Sequence, residues 1–365
     1  MCSVPQGSSL RDGRTVGKFP LNEDFRCFAS GRMDRMIESK AQPAKHSPRG
    51  IEMESPPAPS HVPDGILILD KPEGITSFGL VARVKKLLGI RKVGHCGTLD
   101  PFATGVMILC LNGATRIVDQ LLVQDKLYRF TLRLGLETDT LDKMGEVVRS
   151  YDGPALSKAQ FSGALKGFRG SYLQQVPRYA AVKIEGKRLY ALTRKGIDVE
   201  PPSREVQIHH LELLDYQWPF ATLEAHCSKG TYIRQLAADI GSRLQCGAHV
   251  SSLRRLKSGK FGIEFATTLD NLCDTSLDNL WTEKLISMDE ALPHLRGMVL
   301  TRHKWVKQVR NGTLDPDWER EYRQNFMDTG APVKLLTPER DLVALWWPHA
   351  DGRQQRRLRV IGGSR

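Results

Sequence analysis

Residues 94–105 read Gly94-His95-Cys96-Gly97-Thr98-Leu99-Asp100-Pro101-Phe102-Ala103-Thr104-Gly105. A single carboxylate, Asp100, stands between glycines, and the next residue is proline. Glycine permits tight turns and close backbone approach. Proline fixes its own φ and drives the residue before it towards extended geometry. The apolar run Val106-Met107-Ile108-Leu109-Cys110 follows at once and has the length and character of a core strand. Asp100 is therefore expected on a stiff loop at the edge of a sheet. In isolation, an aspartate at that place is an ordinary turn residue.

Working outward, Ile66-Leu67-Ile68-Leu69 is a short apolar strand, and Asp70-Lys71-Pro72-Glu73-Gly74 turns the chain. Thr76 or Ser77 is placed to cap a helix with apolar positions Phe78, Val81, Val84 and Leu88, stopped at Gly89. Lys85, Lys86, Arg91 and Lys92 crowd its exit. Lys126 to Leu134 alternates Tyr128, Phe130, Leu132 and Leu134 with Arg129, Thr131 and Arg133, the pattern of a strand with one buried face. Residues 169–206 form a basic, Gly- and Pro-containing excursion. Ile233, Leu236, Ala237, Ile240 and Leu244 make one apolar helical stripe beginning near Tyr232.

Beyond about residue 295 the composition shifts. Leu335-Leu336, the turn 337–341 and Leu342-Val343-Ala344-Leu345-Trp346-Trp347 predict a β-hairpin in a small second domain. Residues 1–60 carry nine basic and seven acidic residues among many Pro, Ser and Gly, and read as a disordered tail. Their acids distinguish them from a transit peptide. The whole chain has 365 residues, with 53 Lys plus Arg against 41 Asp plus Glu, a formal charge of +12 that favours polyanionic partners. No apolar run approaches the roughly 18 residues that cross a bilayer. The seven cysteines are widely spaced, with no C-x-x-C pair, so structural zinc is not expected and a reducing cytoplasmic setting is. Glu137, Asp139 and Asp142 lack the spacing of an EF-hand and read as polar loop residues.

The segment Gly94-His95-x-Gly97-Thr98-Leu99-Asp100-Pro101-x-Ala103-Thr104-Gly105 closely resembles the active-site signature of the TruB family of pseudouridine synthases. Further segments carry the resemblance in order over roughly residues 64–265. They are Asp70-Lys71-Pro72-x-Gly74-x-Thr76-Ser77, Lys126-x-Tyr128, Gly135-x-x-Thr138-Asp139-Thr140-x-Asp142, 226–234 (HCSKGTYIR) and Cys246-Gly247-Ala248-His249-Val250-x-x-Leu253-Arg254-Arg255. The 169–206 excursion resembles the thumb of the stand-alone bacterial enzymes, with Gly186-Lys187-x-Leu189-Tyr190 intact. The family pattern Q-x-P-P-x-Y-S-A departs here to Val176 in place of a proline and Ala180 in place of a serine.

The resemblance implies an α/β (α+β) fold: a pseudouridine synthase domain over 64–293 with a mixed, largely antiparallel sheet, and a small PUA-like RNA-binding domain over 295–365. It implies isomerisation of a uridine in the T loop of tRNA, at position 55, with Asp100 as the catalytic carboxylate and no cofactor or metal. It assigns His95, Tyr128, Tyr232 and Leu253 to the substrate nucleotide, and Arg234 and Lys71 to support of the site. The expected partner is the T arm of tRNA, with no membrane and no obligate protein partner. Two rivals are a non-catalytic tRNA-folding protein, against which the intact Asp100 argues, and a guide-directed synthase, against which the thumb-like region argues.

Overall fold

The computed structural model describes residues 62–361, apart from scattered positions between 181 and 198, residues 277–278, 327–329 and 349–357. The tail 1–60 and Tyr190 lie outside the described residues. The central sheet is built from β1 (Gly65–Lys71), β2 (Val93–His95), β3 (Thr104–Leu111), β4 (Lys126–Leu134), β5 (Gly170–Gln175), β6 (Ser203–Gln217), β7 (Phe220–Cys227), β8 (Ala248–Ser258) and β9 (Phe261–Gly262). Its order is β1-β3-β8-β4-β7-β6-β5, with β2 paired to β3 and β9 to β8. All pairings are antiparallel except the short parallel contact of β8 with β3, where Arg254 and Arg255 face Thr104 and Gly105. The expected mixed, largely antiparallel sheet is what the chain forms.

Sequence pattern follows burial. β1 and β3 are covered on both faces, so both run nearly unbroken in apolar residues. Their inner residues Leu67, Leu69, Met107 and Leu109 pack on helix α1 (Ser77–Leu88). Thr76 caps α1 by accepting from the Gly79 N–H at 2.9 Å, and Gly89 closes it at φ 63°. One apolar position departs from expectation: Phe78 is 77% exposed, while Leu80 fills the core. The stripe i, i+3, i+7 from Val81 excludes Phe78 by its angle on the wheel.

β4 alternates as its residues predict, and Tyr128, Phe130, Leu132 and Leu134 enter one core with helices α2 (Lys158–Leu165) and α3 (Ile233–Arg243). Tyr232 is the N-cap of α3. The long β6–β7 hairpin, which has no distinct signal in the sequence, presents Leu211, Leu223 and Ala225 to this core. Val176 and Ala180, the two departures from the family pattern, are buried together with Leu189 in a small apolar cluster of the thumb-like region.

The C-terminal sheet has the order β10 (Gly297–Val299), β11 (Val333–Leu336), β12 (Leu342–Trp346), β13 (Leu358–Val360). The predicted hairpin is β11–β12, turning through Arg340 at φ 68°. Helices α4 (His303–Arg310) and α5 (Pro316–Arg323) accompany it, additions to the β-rich unit that the sequence predicts. No helix among the described residues is long and apolar enough to cross a membrane.

Candidate active site

Three anchors fix the loop that carries Asp100. Ser77, 2% exposed, clamps Leu99 by donating to its carbonyl at 2.9 Å and accepting from its N–H at 2.8 Å. Gly74 N–H donates to the Pro101 carbonyl at 2.9 Å. Lys71, fully buried, donates to the carbonyls of Pro72, Ile75 and Pro101 at 2.9, 2.8 and 3.2 Å. Burial draws the Lys71 ammonium down to about 8, against the opposing pull of the Asp100 and Glu73 charges. Gly105 meets a steric demand of its own. At φ 103°, a Cβ there would lie 2.2 Å from the Arg255 carbonyl oxygen of β8. Only glycine lets β8 run beside the start of β3.

Asp100 receives a two-pointed grip from Arg234. Arg234 Nε lies 2.9 Å from Asp100 Oδ2, and Nη2 donates to Oδ1 at 3.3 Å. Arg234 is 5% exposed, and its remaining donors bind the Thr140 carbonyl at 2.8 Å and the Tyr179 carbonyl at 3.1 Å. The carboxylate side chain keeps 34% of its surface open. Burial raises its pKa, and Asp142 pushes the same way, while Arg234 and Lys71 oppose them; the balance lies above the ordinary carboxylate value. Fork-to-carboxylate contact favours the ionised form and fixes its orientation.

Asp142, in the loop 139–146, also reaches the site. It is 5% exposed and stands 3.7 Å from Arg234 Nη1. Its Oδ1 accepts from Thr140 Oγ1 at 2.7 Å and from the Met144 N–H at 2.9 Å. Asp139 instead accepts from the Glu146 N–H, and Glu137 pairs with Arg149, so the three acids have separate partners. Asp142 is a second acid on Arg234, and its T-x-D spacing beside Thr140 was the available signal.

The other expected residues fall around this pair. Tyr128 is buried in the same cluster as Leu99, Phe102 and Leu253. Burial raises its hydroxyl pKa, and the Asp100 charge adds to that. Tyr232 is half-buried and also within the field of Asp100 and Arg234. Its backbone is held by Gln174, the fully buried glutamine that opens the family pattern carrying Val176 and Ala180. Gln174 Oε1 accepts from the Tyr232 N–H at 2.8 Å, and Nε2 donates to the Tyr232 carbonyl at 3.1 Å. His95 sits on β2, where burial and the Arg255 charge lower its pKa against a hydrogen bond to the Gly97 backbone. Arg204, on β6, stacks on Tyr232 with its guanidinium 5.3 Å from the ring centroid. The arrangement offers an oriented, partly open carboxylate with two tyrosines within reach of its charge.

The family model described as TruB family pseudouridylate synthase (N terminal domain) matches residues 85–233. That of the tRNA pseudouridylate synthase B C-terminal domain matches residues 234–300. The tRNA pseudouridine synthase B of Syntrophobacter fumaroxidans (strain DSM 10017 / MPOB) is 54% identical over 299 residues, covering 82% of this chain and 98% of that protein. The chain belongs to the TruB family. It is accordingly a pseudouridine synthase, an isomerase. The tRNA pseudouridine synthase B of Geobacillus thermodenitrificans (strain NG80-2) is 40% identical over 294 residues, 78% of this chain and 95% of that one. Among solved structures, a Cbf5-Nop10-Gar1 complex is similar at 27% identity and TM-score 0.58, covering 81% of this chain and 83% of the other. The two TruB matches meet between Ile233 and Arg234, so the ion pair with Asp100 joins one residue from each.

Proposed function

We propose that this chain converts a uridine in the T loop of tRNA, position 55, to pseudouridine, with Asp100 acting on a nucleotide swung out of its stack. The observation that carries the reading is the grip of Arg234 on a half-open Asp100 carboxylate. The reaction breaks the N1–C1′ bond, turns the uracil and forms a C5–C1′ bond; the proton leaving C5 is balanced by one gained at N1. Nothing enters or leaves overall, so the proposal needs no cofactor or metal. A carboxylate nucleophile serves the electron-poor intermediate. Tyr128 and Tyr232 flank the flipped base, where a stack is worth about 1–3 kcal/mol. Leu253 walls the uracil, His95 contacts the RNA beside it, and Lys71 holds the Pro101 carbonyl in place. Basic residues of the thumb-like region take backbone phosphates. The C-terminal sheet is the PUA-like RNA-binding unit, and the protein works in the cytoplasm without an obligate protein partner.

Relatives named tRNA pseudouridine synthase B at 54% and 42% identity favour this over the guide-directed reading, while the solved H/ACA RNP and Cbf5-Nop10-Gar1 complexes stand at 26% and 27%. The test is incubation of the purified chain with an unmodified tRNA transcript and mapping of the altered uridine. Asp100→Ala is expected to abolish conversion while tRNA binding stays within about tenfold, because the carboxylate acts on the barrier. Turnover near wild type in that variant refutes the reading.

A further inference from the structure

Arg255 is a buried cation that enters the site above through its charge on His95. It is 1% exposed, on β8 beneath the 94–100 loop. Its Nε donates to the Val106 carbonyl at 2.7 Å, and Nη2 donates to the Gly97 carbonyl at 3.3 Å and to Met107 Sδ at 3.4 Å. Among the described residues no carboxylate forms an ion pair with it. Its neighbour Arg254, by contrast, is paired with Asp70 at 2.6 Å. A buried charge without a counter-charge costs several kcal/mol, and an apolar side chain of that volume would fill the space more cheaply. The cation must be serving a geometry that a hydrocarbon cannot.

Three strands meet at this guanidinium. It spans from the carbonyl of Gly97, three residues before Asp100, to that of Val106, on the strand that leaves the loop. In the β8–β4 ladder the Cα partner of Arg255 is Tyr128. Directly opposed residues of an antiparallel pair place their side chains on one face, about 4.5–5.5 Å apart at Cβ. Both side chains here are buried. Burial pushes the Tyr128 hydroxyl upward, and Arg255 beside it works the other way.

We propose that Arg255 is a positioning residue for pseudouridine formation, holding the Tyr128 hydroxyl and the Asp100 loop in one frame through its planar fork. The inference rests on the reading of Tyr128 and Asp100 given above. The β8–β4 register sets the guanidinium beside the phenol, where its charge orients the hydroxyl dipole with the proton turned away, and the same fork stops the Gly97 peptide from drifting away from β3. A displacement of about 1 Å in such a frame lowers turnover by about 10²-fold without weakening substrate binding.

The experiment compares wild type, Arg255→Met, Tyr128→Phe, the double variant and Arg255→Lys in single-turnover conversion of an unmodified tRNA transcript. Filter binding and thermal melting are recorded on each. Arg255→Met is expected to melt as a folded protein, bind tRNA within about threefold of wild type and convert it about 100-fold more slowly. The double variant is expected to be no slower than the slower single, because the two groups act as a unit. Arg255→Lys keeps the charge but cannot reach Gly97 and Tyr128 together; it is expected to fold and bind as wild type does and to stay slow. Conversion within threefold of wild type in Arg255→Lys overturns the inference even if Arg255→Met fails to fold. Losses that multiply in the double variant overturn it as well. Asp100→Ala run in parallel separates the failures: if Asp100→Ala is inactive while Arg255→Lys is unimpaired, only this inference falls, whereas an active Asp100→Ala removes the site reading itself.

Discussion

Lys71 shows how much of this site is made by one residue that never touches solvent. Its ammonium ties three carbonyls together, one of them that of Pro101, next to Asp100. Folding lowers its pKa from 10.5 to about 8. Between those values the unfolded chain holds a proton that the folded chain has released, so this group makes stability rise with pH across the window. Below pH 8 its full penalty applies, on the order of 3 kcal/mol. The stability difference between wild type and Lys71→Met is therefore expected to move in favour of wild type by that order from pH 7 to 10.5, measured by urea unfolding. Lys126 also titrates near 8 but is common to both proteins and cancels. A difference that stays flat would show that Lys71 titrates normally. Arg204 makes the complementary case on the rim. Gly230 leaves it room, since a Cβ there would lie 3.0 Å from its Nη1. Stacked on Tyr232 and half-exposed, it is placed to meet a phosphate of the bound nucleotide. Arg204→Ala is expected to weaken tRNA binding three- to tenfold and to lower the slope of log K against log salt by about 0.7–1. An unchanged slope would exclude a phosphate contact.

Elements explain why some of this was legible. Helix α1, strand β4 and helix α3 each carry a full period of buried residues, so their pattern announces them and places Tyr128, Tyr232 and Arg234. The Gly-Asp-Pro loop was readable because its residue types restrict backbone geometry. Asp142, Gln174 and Arg255 lie in segments that carry the family resemblance, but the contacts they make in the site were not readable. Their roles arise from the β8–β3 parallel contact, from the loop 139–146 bonding to Val250 and from the Gln174 amide reaching 58 positions to Tyr232, none of which leaves a local period. Phe78 failed for the opposite reason, an apolar residue counted into a stripe that turns away from it. The dipeptide Thr76-Ser77 lies between these cases: Thr76 was readable as a cap, but the clamp of Ser77 on Leu99 bridges 22 positions. Ser77→Ala leaves the backbone N–H and C=O of buried Leu99 unpaired. It is expected to cost about 1–3 kcal/mol in urea unfolding and to slow conversion at least tenfold, since Leu99 precedes Asp100. Unfolding within about 0.3 kcal/mol of wild type would mean that the Leu99 peptide finds other partners.

At the scale of the whole chain, the C-terminal sheet is not an appendage. Leu336, Leu342, Leu345 and Ile361 share one apolar cluster with Ile66, Ile108 and Cys110 of the central sheet. Arg359 of β13 pairs with Asp119 at 2.7 Å and stacks on Trp347. The deepest tie is Asp289, in the short helix Met288–Ala291, which bonds Lys334 of β11 and Arg340 of the β11–β12 turn. Asp289 and Lys334 are both buried, their side chains 7% and 6% exposed. Burial alone would raise the Asp289 pKa, but Lys334 and Arg340 overcome it and hold the carboxyl below its ordinary value. A carboxyl depressed on folding contributes stability above its unfolded pKa and loses it as pH falls through the folded one, so at neutral pH the contribution is complete. Removing one partner of a buried pair leaves the other charge stranded, at about 3–5 kcal/mol. Asp289→Asn is thus expected to lower stability by that amount at pH 7 and to raise hydrogen exchange in Val333–Leu336 and Leu342–Trp346 before it does so in β1 and β3. The double change Asp289→Leu with Lys334→Met is expected to recover most of the loss, because hydrophobic replacement of a buried pair is often neutral. If exchange in Asp289→Asn instead rises equally in both sheets, the C-terminal sheet and the catalytic core unfold as one cooperative body, and the ion pair is one more contact within it rather than the tie between two parts.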